Sequence, residues 1–262
     1  GVKIFRLNLS HNSIEWHIKV INNIREDSPS SSILADIPGR KIRTTFNVSR
    51  EKFRKDQKIY LVSNDFTKDS LKSKFIYEVN NNMLFKMTKK GMKIYADDGR
   101  LSFDVESVND NYITLITKCD GILLECKGIN VPESYPVSNE LTDKDKFYLD
   151  FCCENEVDFV GISFADNAEY LINIQNYIGE RQPKAIAKIE NFFAIKNLSE
   201  ILNISFAIMI DRGDLSVETN TSSIGILQKD ILSKANKLGV PVIVATEMLH
   251  SMQESIHPTK AE

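Results

Sequence analysis

Short apolar segments recur along the chain, and most of them end in polar or charged residues ahead of a stretch with helical periodicity. Runs of four to eight apolar residues are typical of strands that are buried on both faces. Six segments fit this description: residues 2–9, 33–37, 157–164, 185–189, 206–210 and 241–245. Helical stretches follow several of them, at residues 17–25, 168–178, 192–202 and 224–238. Strands that alternate with helices predict an α/β fold built of βα units around a parallel sheet.

A different pattern occupies residues 44–136. Apolar and polar positions alternate in residues 58–62, 93–95, 101–105 and 112–117, and Asp97-Asp98-Gly99 is a turn signal. Alternation with a period of two is typical of half-buried strands. We therefore predict a small β-barrel inserted into the βα domain, which divides the chain into residues 1–43, 44–136 and 137–262.

Polar side chains gather where the predicted parallel strands end. In a parallel barrel the chemistry collects at the carboxyl ends of the strands. These ends carry Arg6 to His11, Asp36, Ser163, Lys188 to Asn191, Asp211 to Asp214, and Thr246. A barrel with a purely structural role would need no such layer of ionisable and hydroxyl groups.

The segment Lys188-Ile189-Glu190 is the first candidate for chemistry. Residues two apart on a strand point to the same side, so Lys188 and Glu190 are expected to face one cavity. Asp214 follows the next strand, and Mg²⁺ is usually held by one or two carboxylates. A lysine beside that metal can stabilise developing negative charge. The alternative is a structural Lys–Glu pair, with Asp214 as a helix cap.

Other strand-end residues allow two interpretations each. Arg6 and Arg43 suit bidentate phosphate binding, or they solvate the surface. Thr246 can relay a proton to a carbon centre, or it is a helix cap or a β-former. Three small oxygen-bearing side chains can ligate a monovalent cation or cap loops, and they are Asn8, Ser10 and Asp36.

Composition narrows the function classes. A net charge of −3 argues against a nucleic-acid binder, and no apolar run approaches the roughly 18 residues of a membrane span. The four cysteines form no CxxC pair, which favours a reducing compartment. Neither GxxxxGK[ST] nor GxGxxG occurs, so a bound nucleotide would be held through charge and metal. Because the chain begins at Gly1 rather than Met, localisation stays open between the cytoplasm and a plastid-like organelle.

Taken together, these motifs resemble the pyruvate kinase family from the first residues of the chain to the last. The most specific match is Lys188-Ile-Glu190-Asn191, and the others follow in the expected order. They are Arg6-Leu-Asn-Leu-Ser-His11, residues 36–43, Lys93-Ile-Tyr-Ala-Asp97-Asp-Gly99, Lys127-Gly-Ile-Asn130-Val-Pro132, Arg212-Gly-Asp214-Leu215, residues 245–252 and Pro258-Thr-Lys-Ala-Glu262.

The resemblance implies a phosphotransferase acting on phosphoenolpyruvate and ADP, within a homotetramer. It implies that Glu190 and Asp214 bind Mg²⁺ or Mn²⁺, while Lys188 stabilises the phosphoryl group and the enolate. It also implies that Arg6 binds the phosphoryl group and that Thr246 lies near the protonated carbon. The substrate carboxylate is expected at Gly213 and Asp214, and the nucleotide at Arg43 and Lys127. A monovalent cation, if one is used, is expected at Asn8, Ser10 and Asp36.

The resemblance also implies a TIM (β/α)₈ barrel, of which the six predicted strands correspond to the second through the seventh. The inserted β-domain is expected to act as a lid that excludes water during transfer. We expect the 262 residues to be a segment of a longer chain that folds and works poorly by itself, because an incomplete barrel exposes unpaired strand edges.

Several positions depart from the family pattern. Ile37 and Lys41 resemble potassium-independent members, in which the lysine ammonium replaces the charge of K⁺, so we expect activity without added K⁺. Cys126 stands where a nucleotide-binding lysine is common, and Lys127 is the candidate replacement. Asp211 replaces a small residue and adds a carboxylate near the expected metal.

Two other functions compete with an active kinase. The departures at Cys126 and Asp211 are compatible with a catalytically weak homologue that serves as a regulatory or structural subunit. A metal-dependent aldolase or lyase on a related barrel is a third reading, but it would not need the inserted β-domain with Asp97-Asp98-Gly99.

Overall fold

The computed structural model describes residues 1–47, 50–66, 71–132, 139–219 and 221–260. The chain divides into two compact units. Unit 1 comprises Gly1–Arg40, Ser138–Ser216 and Asn220–Glu262, and unit 2 comprises Lys41–Val137 and Val217–Thr219. Among the helices of the described residues, none has the length and apolar character needed to cross a bilayer.

The secondary structure follows this order along the chain. The strands are β1 (Ile4–Asn8), β2 (Ser32–Ile37), β3 (Ile42–Asn47), β4 (Lys58–Val62), β5 (Ile76–Val79), β6 (Lys93–Ala96), β7 (Leu101–Val108), β8 (Tyr112–Thr117), β9 (Gly128–Asn130), β10 (Phe159–Ile162), β11 (Lys184–Ile189), β12 (Ala207–Asp211) and β13 (Val242–Ala245). The α-helices are α1 (Ile14–Asp27), α2 (Met83–Met87), α3 (Asp143–Glu154), α4 (Ala168–Ile178), α5 (Phe192–Lys196), α6 (Leu198–Ile204), α7 (Arg212–Glu218) and α8 (Ile224–Leu238). Short 3₁₀ turns span Thr221–Ser223 and His250–Gln253.

In the described part of unit 1, six strands form one sheet in the order β1-β2-β10-β11-β12-β13. Every pair is parallel, with Asn8 opposite Asp36 and Asp211 opposite Ala245. The carboxyl ends of all these strands therefore lie along one edge. The sheet is part of a (β/α)₈ barrel, as expected from the sequence, and unit 2 supplies the inserted β-barrel.

Most residues of the strands of unit 1 are apolar, as is usual for a parallel sheet covered by helices. All five residues of β12 are buried, as are five of the six in β2. The helices contribute to the same core with one buried apolar stripe each, which includes Ile21, Leu149, Ile174, Ile201 and Ile231. Burial of these stripes supplies most of the stability of helices this short.

Side-chain caps mark where several helices of unit 1 begin. The Ser13 hydroxyl accepts a hydrogen bond from the Trp16 N–H, and Asn167 and Asn191 cap α4 and α5 in the same way. Each such cap stabilises a helix by about 1 kcal/mol. Because β11 ends at Ile189 and Asn191 already caps α5, the chain turns away directly behind Glu190.

Unit 2 contains a closed barrel with the strand order β3-β5-β4-β8-β7-β6-β9. Its pairs are antiparallel except β4 with β5, and burial alternates along β7 as the sequence predicts. The core includes the edge-to-face aromatic contacts of Phe53 with Phe75 and Phe103. Between β6 and β7, Asp97, Asp98 and Gly99 all have positive φ, which is the backbone of a tight turn.

Most predicted elements are confirmed, and the differences are local. The helices predicted at 168–178 and 224–238 coincide with α4 and α8. The single helix predicted at 192–202 is wrong in its continuity, because the chain breaks at Asn197 into α5 and α6. The short strands β3, β5 and β9 and the helices α2, α3 and α7 were not predicted.

Candidate functional site

Lys188 lies at the centre of a buried polar cluster in unit 1. Its ammonium Nζ is 2.9 Å from Oε2 of Glu190, 3.1 Å from Oδ2 of Asp211 and 3.4 Å from Oδ1 of Asp36. It also donates to the Ser163 hydroxyl at 3.1 Å, and that hydroxyl in turn donates to a backbone carbonyl. The four partners come from the ends of four parallel strands or the residues just after them, so the sheet register builds the cluster.

Arg6 closes one side of this cluster. Its guanidinium binds the Asp36 carboxylate, with Nε 3.0 Å from Oδ2, and its Nη2 lies 3.6 Å from Oδ2 of Asp211. The Arg6 side chain keeps 33% of its surface exposed, whereas Asp36 keeps 3%. The guanidinium therefore has donors left for an anionic ligand, and the phosphoryl-binding role of Arg6 stays a prediction.

A group of carboxylates offers a place for a divalent cation. Glu190, Asp211 and Asp214 each present one oxygen, and these oxygens lie within 4.8 Å of one another. Carboxylate oxygens are the ligands that Mg²⁺ and Mn²⁺ prefer. Among the described side chains of the cluster, the carboxylates outnumber the cations by two; they are Asp36, Glu190, Asp211 and Asp214 against Arg6 and Lys188. A dication balances this excess, so the donor set fits the expected metal.

The pKa shifts follow from burial and from charge pairing. Burial raises the pKa of the Glu190 carboxyl, and the Lys188 ammonium offsets only part of that rise. Burial alone would lower the pKa of Lys188, but the surrounding carboxylates outweigh it and raise the pKa. Burial alone would raise the pKa of Asp211, but Lys188 and the Thr246 hydrogen bond lower it. Lys188 and Asp211 are therefore held in their charged forms.

The backbone holds the second oxygen of Glu190. Its Oε1 accepts a hydrogen bond from the Phe164 N–H at 2.8 Å. Phe164 has a φ of 55°, in the left-handed region that is rare for residues other than glycine. Residues held in this region are often part of functional sites. Here the unusual backbone aims one amide at the carboxylate.

Thr246 directly follows β13 and contacts the same cluster. Its hydroxyl donates to Oδ1 of Asp211 at 2.8 Å and accepts from the Gly213 N–H at 2.9 Å. Thr246 is exposed, so a ligand can reach it. The sequence-predicted residues Arg6, Lys188, Glu190, Gly213, Asp214 and Thr246 are thus all present at the carboxyl edge of one sheet.

The residues predicted for a monovalent cation lie at the ends of β1 and β2. The side-chain oxygen of Asn8 accepts from the Ser10 N–H at 3.0 Å, and Asn8 is in register with Asp36. Asp36 already binds Arg6 and Lys188. This cation site stays a prediction.

The residues predicted for nucleotide binding lie in unit 2. A guanidinium nitrogen of Arg43 donates to the Cys126 carbonyl at 3.0 Å, and the Lys127 ammonium is 2.6 Å from Oδ1 of Asp97. The Lys41 ammonium lies 3.9 Å from Oδ1 of Asp98. Their roles toward nucleotide and cation also stay predictions.

Sequence reasoning missed two features of the cluster. The sequence places Ser163 at a strand end but predicts no role for it, yet its hydroxyl accepts a hydrogen bond from the Lys188 ammonium. The hydrogen bond between Asp211 and Thr246 was not predicted either. Only the pairing of β12 with β13 could have indicated this hydrogen bond, because Asp211 lies opposite Ala245 and Thr246 is the next residue.

Comparison with known proteins supplies the family. A family model described as pyruvate kinase, barrel domain, matches residues 1–262. A protein named pyruvate kinase from Thermococcus litoralis is 34% identical over the whole chain, which covers 56% of that protein. Pyruvate kinase from Schizosaccharomyces pombe is 35% identical, again over the whole chain, which covers 53% of it. The chain spans about half the length of the curated relatives it matches. On these matches and on the Lys188 cluster, the chain belongs to the pyruvate kinase family.

Proposed function

We propose that the protein containing this chain transfers a phosphoryl group from phosphoenolpyruvate to ADP, giving pyruvate and ATP in glycolysis. The observation that carries this proposal is the Lys188 ammonium held beside the carboxylates of Glu190 and Asp211, at the edge that also carries Arg6 and Thr246. Family membership supports the same reaction.

In this proposal each side chain has one task. Arg6 and Lys188 bind the phosphoryl group and offset the charge that develops on the transferred oxygens and on the enolate. Glu190 and Asp214 hold Mg²⁺ or Mn²⁺, which supplies further positive charge when bound. The Gly213 and Asp214 backbone receives the substrate carboxylate, and Thr246 lies near the carbon that is protonated.

The remaining parts of the proposal concern unit 2 and the assembly. Arg43 and Lys127 bind the nucleotide phosphates, and Lys41 takes over the charge of K⁺. Where a monovalent cation is used, its ligands are Asn8, Ser10 and Asp36. Residues 44–136 act as a lid that excludes water during transfer. The full protein is a homotetramer, which its molar mass in solution tests.

The experiment that tests the reaction follows pyruvate formation from phosphoenolpyruvate and ADP with Mg²⁺, using the full natural protein. Lys188→Met and Glu190→Gln are expected to abolish activity. Lys184→Met is the matched control, because Lys184 is exposed at the start of the same strand and is expected to keep activity. A folded natural protein without activity, with or without K⁺, would overturn the proposal in favour of a non-catalytic subunit.

A further inference from the structure

We propose that Asp211 is a positioning residue that holds the Thr246 hydroxyl in place for proton transfer at carbon, and that phosphoryl transfer depends on Asp211 much less. This inference rests on the proposed function and deepens it. It assigns a task to Asp211, which lies among the candidate metal-binding carboxylates but has no task in the proposed function.

The backbone of Thr246 is the first observation. Thr246 has a φ of 62°, although a β-branched residue rarely adopts the left-handed region. Such a conformation costs on the order of 1–3 kcal/mol and persists only when neighbouring contacts hold it. Thr246 therefore depends on the hydrogen bonds of its side chain more than an unstrained residue would.

The second observation is the direction of those hydrogen bonds. The Gly213 N–H can only donate, so the Thr246 oxygen accepts from it. The Lys188 ammonium lies 3.1 Å and the Arg6 guanidinium 3.6 Å from Oδ2 of Asp211, so this side chain is a carboxylate between two cations. A carboxylate can only accept, so the Thr246 hydroxyl hydrogen points to Oδ1 of Asp211. The hydrogen and one lone pair of the Thr246 hydroxyl are thus used in hydrogen bonds to Asp211 and Gly213. The second lone pair of the exposed hydroxyl is the part left for a substrate.

The third observation is the unequal dependence of two side chains on Asp211. Within the described contacts, Lys188 has Glu190, Asp36 and Ser163 as partners besides Asp211. In the same part of the structure, Thr246 has Gly213 besides Asp211. Removing the Asp211 carboxylate therefore takes one of several partners from Lys188, but it takes from Thr246 the only side-chain partner that it has among the described residues.

A neutral replacement cannot serve both contacts. Asparagine has one oxygen and one NH₂, whereas Asp211 uses one oxygen for Thr246 and the other for Lys188. The Lys188 ammonium draws the amide oxygen toward itself, which leaves the NH₂ against Thr246 and reverses that hydrogen bond. The charge and both oxygens of Asp211 are thus needed together.

Proton transfer can be measured apart from phosphoryl transfer. In the reverse sense of the carbon step, a C–H bond of the pyruvate methyl group breaks and its electron pair forms the enolate. The Thr246 oxygen accepts this proton on its free lone pair as its own hydrogen leaves along the hydrogen bond to Asp211 and then to solvent. In D₂O a deuteron returns to the carbon by the reverse path. Nuclear magnetic resonance follows this exchange, and ATP formation follows phosphoryl transfer.

The test compares Asp211→Ala, Thr246→Val and the double variant in the full natural protein. Asp211→Ala is expected to lower the ratio of exchange to phosphoryl transfer about ten-fold or more, the scale of one hydrogen bond to a charged group. In the Thr246→Val background, Asp211→Ala is expected to leave this ratio unchanged, because the two residues act together. If Asp211→Ala does not fold, Asp211→Asn takes its place with the same expectation.

Two results would overturn the inference. One is an equal loss of exchange and phosphoryl transfer in Asp211→Ala, as a general structural role would give. The other is the same fall in the ratio with and without the Thr246 hydroxyl. A natural protein that performs neither reaction would instead refute the proposed function, so the two failures are distinguishable.

Discussion

The Lys188 ammonium lies 2.9 Å from the carboxylate of Glu190, two residues further along the chain, and both side chains are almost fully buried. A buried ion pair of this kind contributes little by itself, because desolvation of the two charges offsets most of their attraction. Removing one partner is different, since it leaves the other charge buried without compensation.

The stability of unit 1 should therefore depend on Lys188. We expect Lys188→Met to lower the free energy of unfolding by about 3–5 kcal/mol in the absence of divalent cations, because the buried carboxylates around it lose the cation that compensates their charge. Added Mg²⁺ should recover part of this loss, because a cation bound only by the folded state stabilises it. Thermal unfolding with and without Mg²⁺ measures both effects, and a Lys188→Met protein as stable as the natural one contradicts the prediction.

Gly39 offers a test of backbone packing next to the cluster. It has a φ of +57°, and a Cβ there would lie 2.6 Å from the Ser163 carbonyl oxygen. We expect Gly39→Ala to destabilise the fold by about 1–3 kcal/mol or more. Gly225→Ala is the control, because Gly225 lies in α8 with open space around its Cβ position, and a helical Ala stabilises by up to about 1 kcal/mol. Denaturant unfolding should show opposite signs for the two variants.

Asp166 should give the stability a pH dependence. Burial raises the pKa of this carboxyl to about 6, although the Arg40 guanidinium lowers it in part. The folded state then holds the proton more tightly than the unfolded state, so the contribution of Asp166 is greatest below pH 4 and falls as the pH rises to about 6. The loss is up to about 3 kcal/mol.

The matching experiment compares unfolding of the natural protein and Asp166→Asn between pH 4 and pH 7. The difference in free energy of unfolding between the two proteins should change across this window and level off above it. A constant difference would show that the pKa of Asp166 is the same in both states.

The cysteines should differ sharply in reactivity. Cys126 is exposed, whereas Cys152 is buried and its burial raises the pKa of the thiol. Since the thiolate is the reactive form, iodoacetamide should modify Cys126 in the folded protein and reach Cys152 only after unfolding. Peptide mass spectrometry distinguishes the two sites, and early modification of Cys152 would be the contrary result.

The role assigned to Lys41 predicts how activity responds to potassium. If its ammonium replaces the monovalent charge, phosphoryl transfer should proceed without added K⁺, and Lys41→Ala should create a need for it. The assay varies KCl at constant ionic strength for both proteins. A many-fold rise in the natural protein on adding KCl would remove Lys41 from this role.

Much of the fold could be predicted because its signals are local. The helix α4 has an apolar stripe, an Asn167 cap and a Gly179 end, so its bounds follow from neighbouring residues. The break at Asn197 between α5 and α6 could not be predicted, because the apolar periodicity continues through it. The Asn197 side chain donates to the Asp166 carbonyl, a contact 31 residues away.

In the site too, local features could be predicted from the sequence, whereas features that depend on distant contacts could not. Strand ends alone brought Lys188, Glu190 and Thr246 forward as candidates, because parallel strands share one carboxyl edge. The link between Asp211 and Thr246 depends on the pairing of β12 with β13 and on a positive φ, neither of which a single sequence reveals.

The backbone amide that binds Glu190 determines which substitutions at position 164 keep this hydrogen bond. Because the donor is the Phe164 backbone rather than a side chain, nearly every codon change at position 164 leaves the N–H in place, and only proline removes it. Glycine would even relieve the left-handed backbone. A substitution at residue 164 therefore disturbs the packing of a fully buried ring but leaves the carboxylate its hydrogen bond, whereas a change at Glu190 itself removes the carboxylate.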